Sequence, residues 1–449
     1  MPIFPFTNIH SHIFNSDCAP DRFLRIIPSG FIRKFAKPIK RGVDSNLSYK
    51  ILNLSAKILS KKESSNRGMF DKMISFLDIG TEREQSDIFK MTLQTGTKYD
   101  SKVRIVALSL DMDHMDNSPS LYMKNFRTQL EELKEIKRYY PDQIFLFLGI
   151  DPRNKQYEEL LTWAKDFFQK GVEKNGIVYP YFCGVKLYPA LGFFPFDPAL
   201  ENLYAYCETN QIPIITHCTR VGSQYIGEEI ESLIPVSPKT IEVPDNDHFS
   251  IAKKEIEERI ERYRKAGWIK NNNKGENDLA CDLFGHPQNY IPILEKFPRL
   301  KICLAHLGGS NEILNSNSEK TLGVDLSQIR KTDGYNWFER IKTYMKQYPH
   351  LYSDISYTLS SFEKKAVTKQ VLEFMNEEDI NGNLLGKRIL FGTDFFMTEQ
   401  ENHEEDLYKL AEISLKDWFE IICRVNTQEF LQQPLEKHKE TEHLPGVYS

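Results

Sequence analysis

Apolar residues along this chain fall into two alternating patterns. Short runs rich in Val, Ile, Leu and Phe give way to longer stretches in which apolar positions return every three or four residues. The runs predict strands at 3–9, 103–110, 144–150, 182–187, 212–216, 300–305, 351–355 and 389–392. The periodic stretches predict helices at 121–139, 157–169, 198–208, 288–296, 337–347, 362–375 and 405–424. Strands alternating with helices mark β/α units around a parallel sheet. Eight such strands suit one closed (β/α)8 TIM barrel, so the predicted class is α/β.

Two segments break the repeat and read as helical insertions, one after strand 1 at 15–80 and one after strand 5 at 219–285. The first is rich in basic residues: Arg22, Arg25, Arg33, Lys34, Lys37, Lys40 and Arg41. The second holds a charged helix at 251–266, whose Glu and Arg spacing suits a solvated face with local ion pairs. It also holds the polar loop Asn271-Asn272-Asn273-Lys274-Gly275. Both would emerge above the C-terminal ends of the strands, so both are candidate lids. The expected organisation is a single barrel domain over 1–433 with a polar tail at 434–449.

Length agrees with this reading: 449 residues hold one barrel, typically about 250 residues, plus insertions. A net charge of −5, from 58 basic and 63 acidic residues, gives no general case for a nucleic-acid partner. The basic residues after strand 1 lack interleaved aromatics. Seven scattered cysteines without framework spacing suggest a reducing compartment. No run is long enough to span a bilayer, and the chain enters strand 1 almost at once, leaving no room for a signal peptide. The expectation is a cytoplasmic protein that acts on a small molecule, with no membrane partner and with homo-oligomerisation open.

The chemistry lies where the runs stop. His10 and His12 close the first run, and residues two apart in a strand point to the same side. Neutral imidazoles placed so suit zinc and related metals. Four later runs end in Lys186, His217, His306 and Asp394. A (β/α)8 barrel puts its catalytic residues at these C-terminal strand ends. If His10, His12, His217 and Asp394 converge, they form a site for a divalent ion, zinc first and manganese as the alternative. A water completing the shell would be activated for attack, and Asp394 could take its proton. His306 would then act as general base or as partner to a developing oxyanion. Lys186 has three readings: it binds a substrate carboxylate, it is carbamylated and bridges two ions, or it is a lysine anchored by a carboxylate.

These stretches resemble the amidohydrolase superfamily, and within it the amidohydrolase-2 or aminocarboxymuconate-semialdehyde-decarboxylase-like branch. The resemblance is carried by Asn8-Ile9-His10-Ser11-His12, Gly184-Val185-Lys186-Leu187-Tyr188-Pro189, Pro213-Ile214-Ile215-Thr216-His217-Cys218, Ala305-His306-Leu307-Gly308-Gly309 and Phe391-Gly392-Thr393-Asp394. It implies metal ligands at His10, His12, His217 and Asp394 and a catalytic histidine at His306. It also implies a metal-dependent hydrolase or decarboxylase of small carboxylated or ring-containing molecules. The long insertions depart from shorter relatives and leave the substrate undefined. One ion or two remains open, because the family includes both kinds.

Other candidates have plainer readings beside the functional one. Asp111, Asp113 and His114 follow strand 2 and could reach the site, or cap the next helix. Arg153, in Asp151-Pro152-Arg153, lines the mouth or makes a structural ion pair. His286 reads as a helix-boundary residue. His248, His350, His403, His438 and His443 read as solvent-exposed, and Cys218 as packed behind the site. Asp354 closes strand 7 and could orient a ligand from behind. Arg22, Arg25 or Arg33 could grip an anionic substrate, against the plainer reading of a solvated helical face. Among functions, metal-dependent hydrolysis of a C–O or C–N bond leads. Decarboxylation on the same site is the alternative. A catalytically inactive barrel that only binds a partner is disfavoured, since no expected ligand is missing.

Overall fold

A computed structural model describes residues 4–20, 75–76, 78–80, 83–115, 124–154, 159–227, 230–234, 247–265, 267, 269, 279–316, 336–431 and 437–438. Among these, eight parallel strands form one sheet: β1 (Thr7–Ser11), β2 (Arg104–Leu108), β3 (Ile144–Ile150), β4 (Phe182–Leu187), β5 (Ile214–Thr216), β6 (Ile302–Leu304), β7 (Leu351–Asp354) and β8 (Ile389–Leu390). The strands lie side by side in chain order. The ends of the sheet meet: the Ile9 amide donates to the Phe391 carbonyl at 2.9 Å, and the Asp394 amide to the His10 carbonyl at 2.9 Å. This is the (β/α)8 barrel that the apolar pattern predicts.

Eight helices follow the strands: α1 (Gln85–Gly96), α2 (Phe126–Tyr139), α3 (Leu160–Gln169), α4 (Glu201–Thr209), α5 (Ile291–Lys296), α6 (Trp337–Gln347), α7 (Lys365–Met375) and α8 (Glu404–Leu415). Two of them show why they start where they do and face inward. Asn125 and Asn336 cap α2 and α6 by accepting from the Thr128 and Glu339 amides. Leu130, Leu133 and Ile136 of α2, and Ile341, Tyr344 and Met345 of α6, recur at helical spacing and are buried. The stretch predicted as one helix at 405–424 divides after Leu415, because Lys416 adopts φ +50°, and a π-helical turn follows at Ile421–Val425.

Inside the barrel Ile9, Val106, Leu108, Phe145, Phe147, Cys183, Ile215, Cys303 and Leu390 pack together, with Phe430 against Tyr352. Gly184 is required here, because a Cβ at that position would collide with the Phe147 ring. β1 carries a bulge between Asn8 and Ser11, where three steps along β1 match two along β2.

Most of the first insertion, including Arg22, Arg25, Arg33, Lys34, Lys37, Lys40 and Arg41, lies outside the described residues. So do the Asn271–Gly275 loop and most of the 434–449 tail, although Lys437–His438 pairs antiparallel with Ile177–Val178. In the second insertion, the helix Asp247–Lys265 is solvated on one side only. Ile256, Ile260 and Tyr263, at i, i+4 and i+7, join Phe194, Phe196, Leu283 and Phe284 in a small core of their own. Arg264 pairs outward with Glu231 and Glu261, as the charge pattern predicts.

Candidate metal centre

Side chains from six strand ends meet at the C-terminal end of the barrel. The bulge in β1 turns His10 toward the barrel axis while Asn8, two residues earlier, faces α8. His10 Nε2 and His12 Nε2 stand 3.4 and 3.3 Å from the same Asp394 Oδ1. The ligand atoms of these three buried residues lie within 4.8 Å of one another.

The second nitrogen of each imidazole is already occupied. His10 Nδ1 is 2.9 Å from Asp354 Oδ2, and His12 Nδ1 is 3.1 Å from the Leu108 carbonyl. A carbonyl only accepts, so His12 carries its proton on Nδ1 and turns the Nε2 lone pair toward Asp394. Asp394 Oδ1 is buried and has no hydrogen-bond partner. A carboxylate oxygen facing imidazole lone pairs is an arrangement that a cation reconciles, and this donor set suits a divalent first-row metal. The residues therefore fit the ion that the strand-end pattern implies.

Electrostatics favour that protonation state. Burial, reinforced by Lys186, pushes His10 down to about 3 despite Asp354 and Asp394. Burial likewise lowers His12, opposed by Asp394. Asp394 is held well below the usual carboxylate range: burial raises it, but the adjacent His12 and His10 rings outweigh that.

His217 and His306 form a second pair beside the first. His306 Nε2 is 3.2 Å from His217 Nδ1, and His217 Nε2 is 3.0 Å from the Val221 carbonyl. The His306 ring lies between the other two, 4.9 Å from each of the His10 and His217 rings. His217 thus adjoins the His10–His12–Asp394 trio without belonging to that convergent group. Burial, then His306 and Lys186, lower its pKa.

Lys186 is buried, with Nζ 3.3 Å from His10 Nε2. Burial lowers it to about 8, against the pull of Asp394 and Asp354. The amine therefore sits inside the site and gives up its proton more readily than an ordinary lysine.

Asp354, the residue expected to act from behind, spans both halves. Its Oδ2 meets His10 Nδ1, and its Oδ1 accepts from the His306 amide at 2.9 Å and the Ser356 amide at 3.0 Å. Ser356 was not legible as a site residue. Its hydroxyl donates to Asp354 and lies 3.0 Å from His10 Nδ1 and 2.9 Å from His306 Nδ1. Its position two residues after Asp354 is the only signal that could have found it. Tyr188 also went unread, although its ring lies 4.4 Å from His217 and its hydroxyl accepts from the Ser223 amide. Phe14 stacks edge-on against His12 and Phe396, forming an apolar wall beside the trio.

The remaining candidates have structural partners. Arg153 pairs with Asp151 and donates to the Leu191 carbonyl. Asp111 accepts from Asn154, and Asp113 bonds the first amide of α2. His286 caps the turn at Pro287–Tyr290, and Cys218 packs outward into the main core. His403 is exposed and His350 is half-buried. No described helix is long and apolar enough to cross a membrane.

Three solved structures align over nearly the whole chain at low identity. A TIM-barrel protein from Bordetella bronchiseptica is 14% identical, with a TM-score of 0.43 over 96% of this chain and 99% of its own. A 5-carboxyvanillate decarboxylase from Novosphingobium aromaticivorans, solved with manganese, is 12% identical, with a TM-score of 0.48 over 96% of each chain. A dihydroxybenzoic acid decarboxylase from Polaromonas, also with manganese, is 13% identical, with a TM-score of 0.44 over 95% of this chain and 97% of its own. No curated protein matches the sequence. A family model described as amidohydrolase matches residues 133–432, more than half of the chain, and takes in β3 to β8 with Lys186, His217, His306 and Asp394. By that match, this chain belongs to the amidohydrolase family.

Proposed function

We propose that this enzyme is a metal-dependent hydrolase that cleaves a C–O or C–N bond in a small carboxylated or ring-containing molecule. The observation that carries the reading is the buried Asp394 Oδ1, without a hydrogen-bond partner and faced by the Nε2 atoms of His10 and His12. His10, His12 and Asp394 would hold the ion, with His217 as the fourth donor. Such an ion, zinc or manganese, brings the pKa of a bound water toward neutrality and polarises a carbonyl.

The chain's own groups account for the rest. His306 has its amide on Asp354 and Nδ1 on the Ser356 carbonyl, so the ring is fixed with Nε2 toward the site, as a general acid–base needs. Asp354 holds His10 Nδ1 and so presents Nε2 to the ion. Lys186 would bind the substrate carboxylate, and the Phe14, Phe396 and Tyr188 rings would pack against a planar substrate and exclude water. Decarboxylation is the second reading, favoured by the same Lys186. An amine buried among the ligands can hold a carboxylate in place for loss as CO₂.

The test is metal content per chain by inductively coupled plasma mass spectrometry, on protein purified without chelator or histidine tag. A bound ion that disappears in the His10→Ala, His12→Ala double variant is the expected result. About one equivalent indicates one ion, and about two indicate a carbamylated Lys186 between them. No ion, with none taken up from added zinc or manganese, would refute the reading. A CO₂ assay on active protein separates the two reactions.

A further inference from the structure

Asn8 is fully buried, and every polar atom of its side chain is engaged. Its Oδ1 accepts from the His10 amide at 3.3 Å and from the Thr393 amide at 3.2 Å. Its Nδ2 donates to Thr393 Oγ1 at 2.8 Å and reaches the Tyr408 hydroxyl at 3.3 Å and Glu404 Oε1 at 3.4 Å. One side chain thus joins the strand that carries His10 to the residue immediately before Asp394.

The backbone is irregular on both sides of this tie. β1 is bulged between Asn8 and Ser11. Asp394 adopts φ +60°, a left-handed conformation that is unfavourable for a non-glycine residue and persists only when its surroundings impose it. The surroundings here are specific. Thr393 Oγ1 accepts from the Phe395 amide at 3.3 Å, and Thr398 Oγ1 donates to the Thr393 carbonyl at 3.1 Å. A Cβ on Gly392 would lie 2.6 Å from His10 Cβ, so the two strands pass at the closest approach that glycine permits. With backbones this close, a small shift at the seam would alter the distance between His10 Nε2 and Asp394 Oδ1 directly.

We infer that Asn8 is a positioning residue for the metal centre: through the His10 and Thr393 amides it sets the spacing and aim of His10 and Asp394 as a ligand pair. The inference rests on the metal reading above. It adds that affinity for the ion is controlled from the outer side of the barrel wall, by a residue that never touches the ion.

The experiment measures the affinity of the stripped, full-length chain for zinc and for manganese alone, by competition with a fluorescent chelator, well below the unfolding midpoint. Asn8→Ala is expected to weaken binding by about 10- to 100-fold, as loss of a group that orients a ligand does. Thr393→Val removes, without changing shape, the Oγ1 that holds Asn8 Nδ2, so Asn8 Oδ1 is no longer locked onto the two amides, and it is expected to weaken binding as well. It decides the matter should Asn8→Ala not fold. Asn8→Asp keeps an oxygen facing both amides and is expected to recover most of the affinity. Phe430→Ala, at the opposite end of the barrel, is expected to lower stability and leave affinity unchanged.

Wild-type affinity in both Asn8→Ala and Thr393→Val would overturn the inference while leaving the metal reading intact. So would an equal loss in Phe430→Ala, which would mark general loosening. An Asn8→Asp variant as weak as Asn8→Ala would overturn the role assigned to the oxygen. A wild-type chain that binds neither ion would overturn the metal reading, and the inference with it.

Discussion

Replacing Glu404 with Gln should change how stability depends on pH. Glu404 opens α8, and its carboxyl is buried behind the β1–β8 seam. Oε1 accepts from Thr92 Oγ1 at 2.6 Å and Thr393 Oγ1 at 3.2 Å, while Oε2 is buried without a hydrogen-bond partner. No cation among the described residues compensates it. Burial pushes its pKa up to about 8 from the ordinary 4.5, against the bond from Thr92 and with help from Glu399. Below 4.5 the carboxyl is protonated in both folded and unfolded chains and contributes nothing. Between 4.5 and about 8 the folded chain keeps a proton that the unfolded chain has lost, so stability falls as pH rises through that window. At about 1.4 kcal/mol per pH unit, the full interval is worth about 5 kcal/mol.

Gln does not titrate, so the wild-type stability measured relative to Glu404→Gln should fall by about 1.4 kcal/mol per unit across the window. Urea unfolding of both proteins at several pH values from 5 to 8, followed by far-ultraviolet circular dichroism, reads that difference. A difference that stays flat would refute the reasoning, because it would mean that the folded protein holds Glu404 ionised at no cost.

His306→Asn should lower kcat by about 10²- to 10⁴-fold, the range for losing a general acid–base, while metal content stays at the wild-type level. Loss of the metal along with activity would instead assign His306 to the ligand set. Asp354→Asn replaces the carboxylate that faces His10 Nδ1 and should weaken metal affinity by about 10- to 100-fold, read by the same chelator competition. Unchanged affinity would show that Ser356 alone suffices to orient the ring.

Much of the barrel was legible because each strand is buried on both faces and reads as an apolar run, while each helix shows one apolar stripe. The helix at 337–347 agrees to the residue, since Asn336 and the Trp337–Phe338 pair mark its start plainly. Agreement failed where geometry departs from the regular period. The run at 3–9 placed β1 four residues early, because Phe4 and Phe6 extend the apolar pattern beyond the paired segment at Thr7–Ser11. The solvated face of Asp247–Lys265 was legible, but its packed face was not, because charges outnumber Ile256, Ile260 and Tyr263, which suffice once Phe194 and Phe284 lie against them.

What the sequence determined by itself was the fold and the kinds of residue at the strand ends: imidazoles, an amine and a carboxylate, in an order that only a parallel barrel gathers. The tertiary structure decided which of them meet, and in what protonation state. The β1 bulge separates Asn8 from His10 although alternation would put them on one face. Burial and Asp354 set the state of His10, and Ser356 ties its Nδ1 to that of His306. Such effects come from groups hundreds of residues apart in the chain. Local pattern records which side chains are present, whereas desolvation and hydrogen bonding depend on what surrounds them after folding.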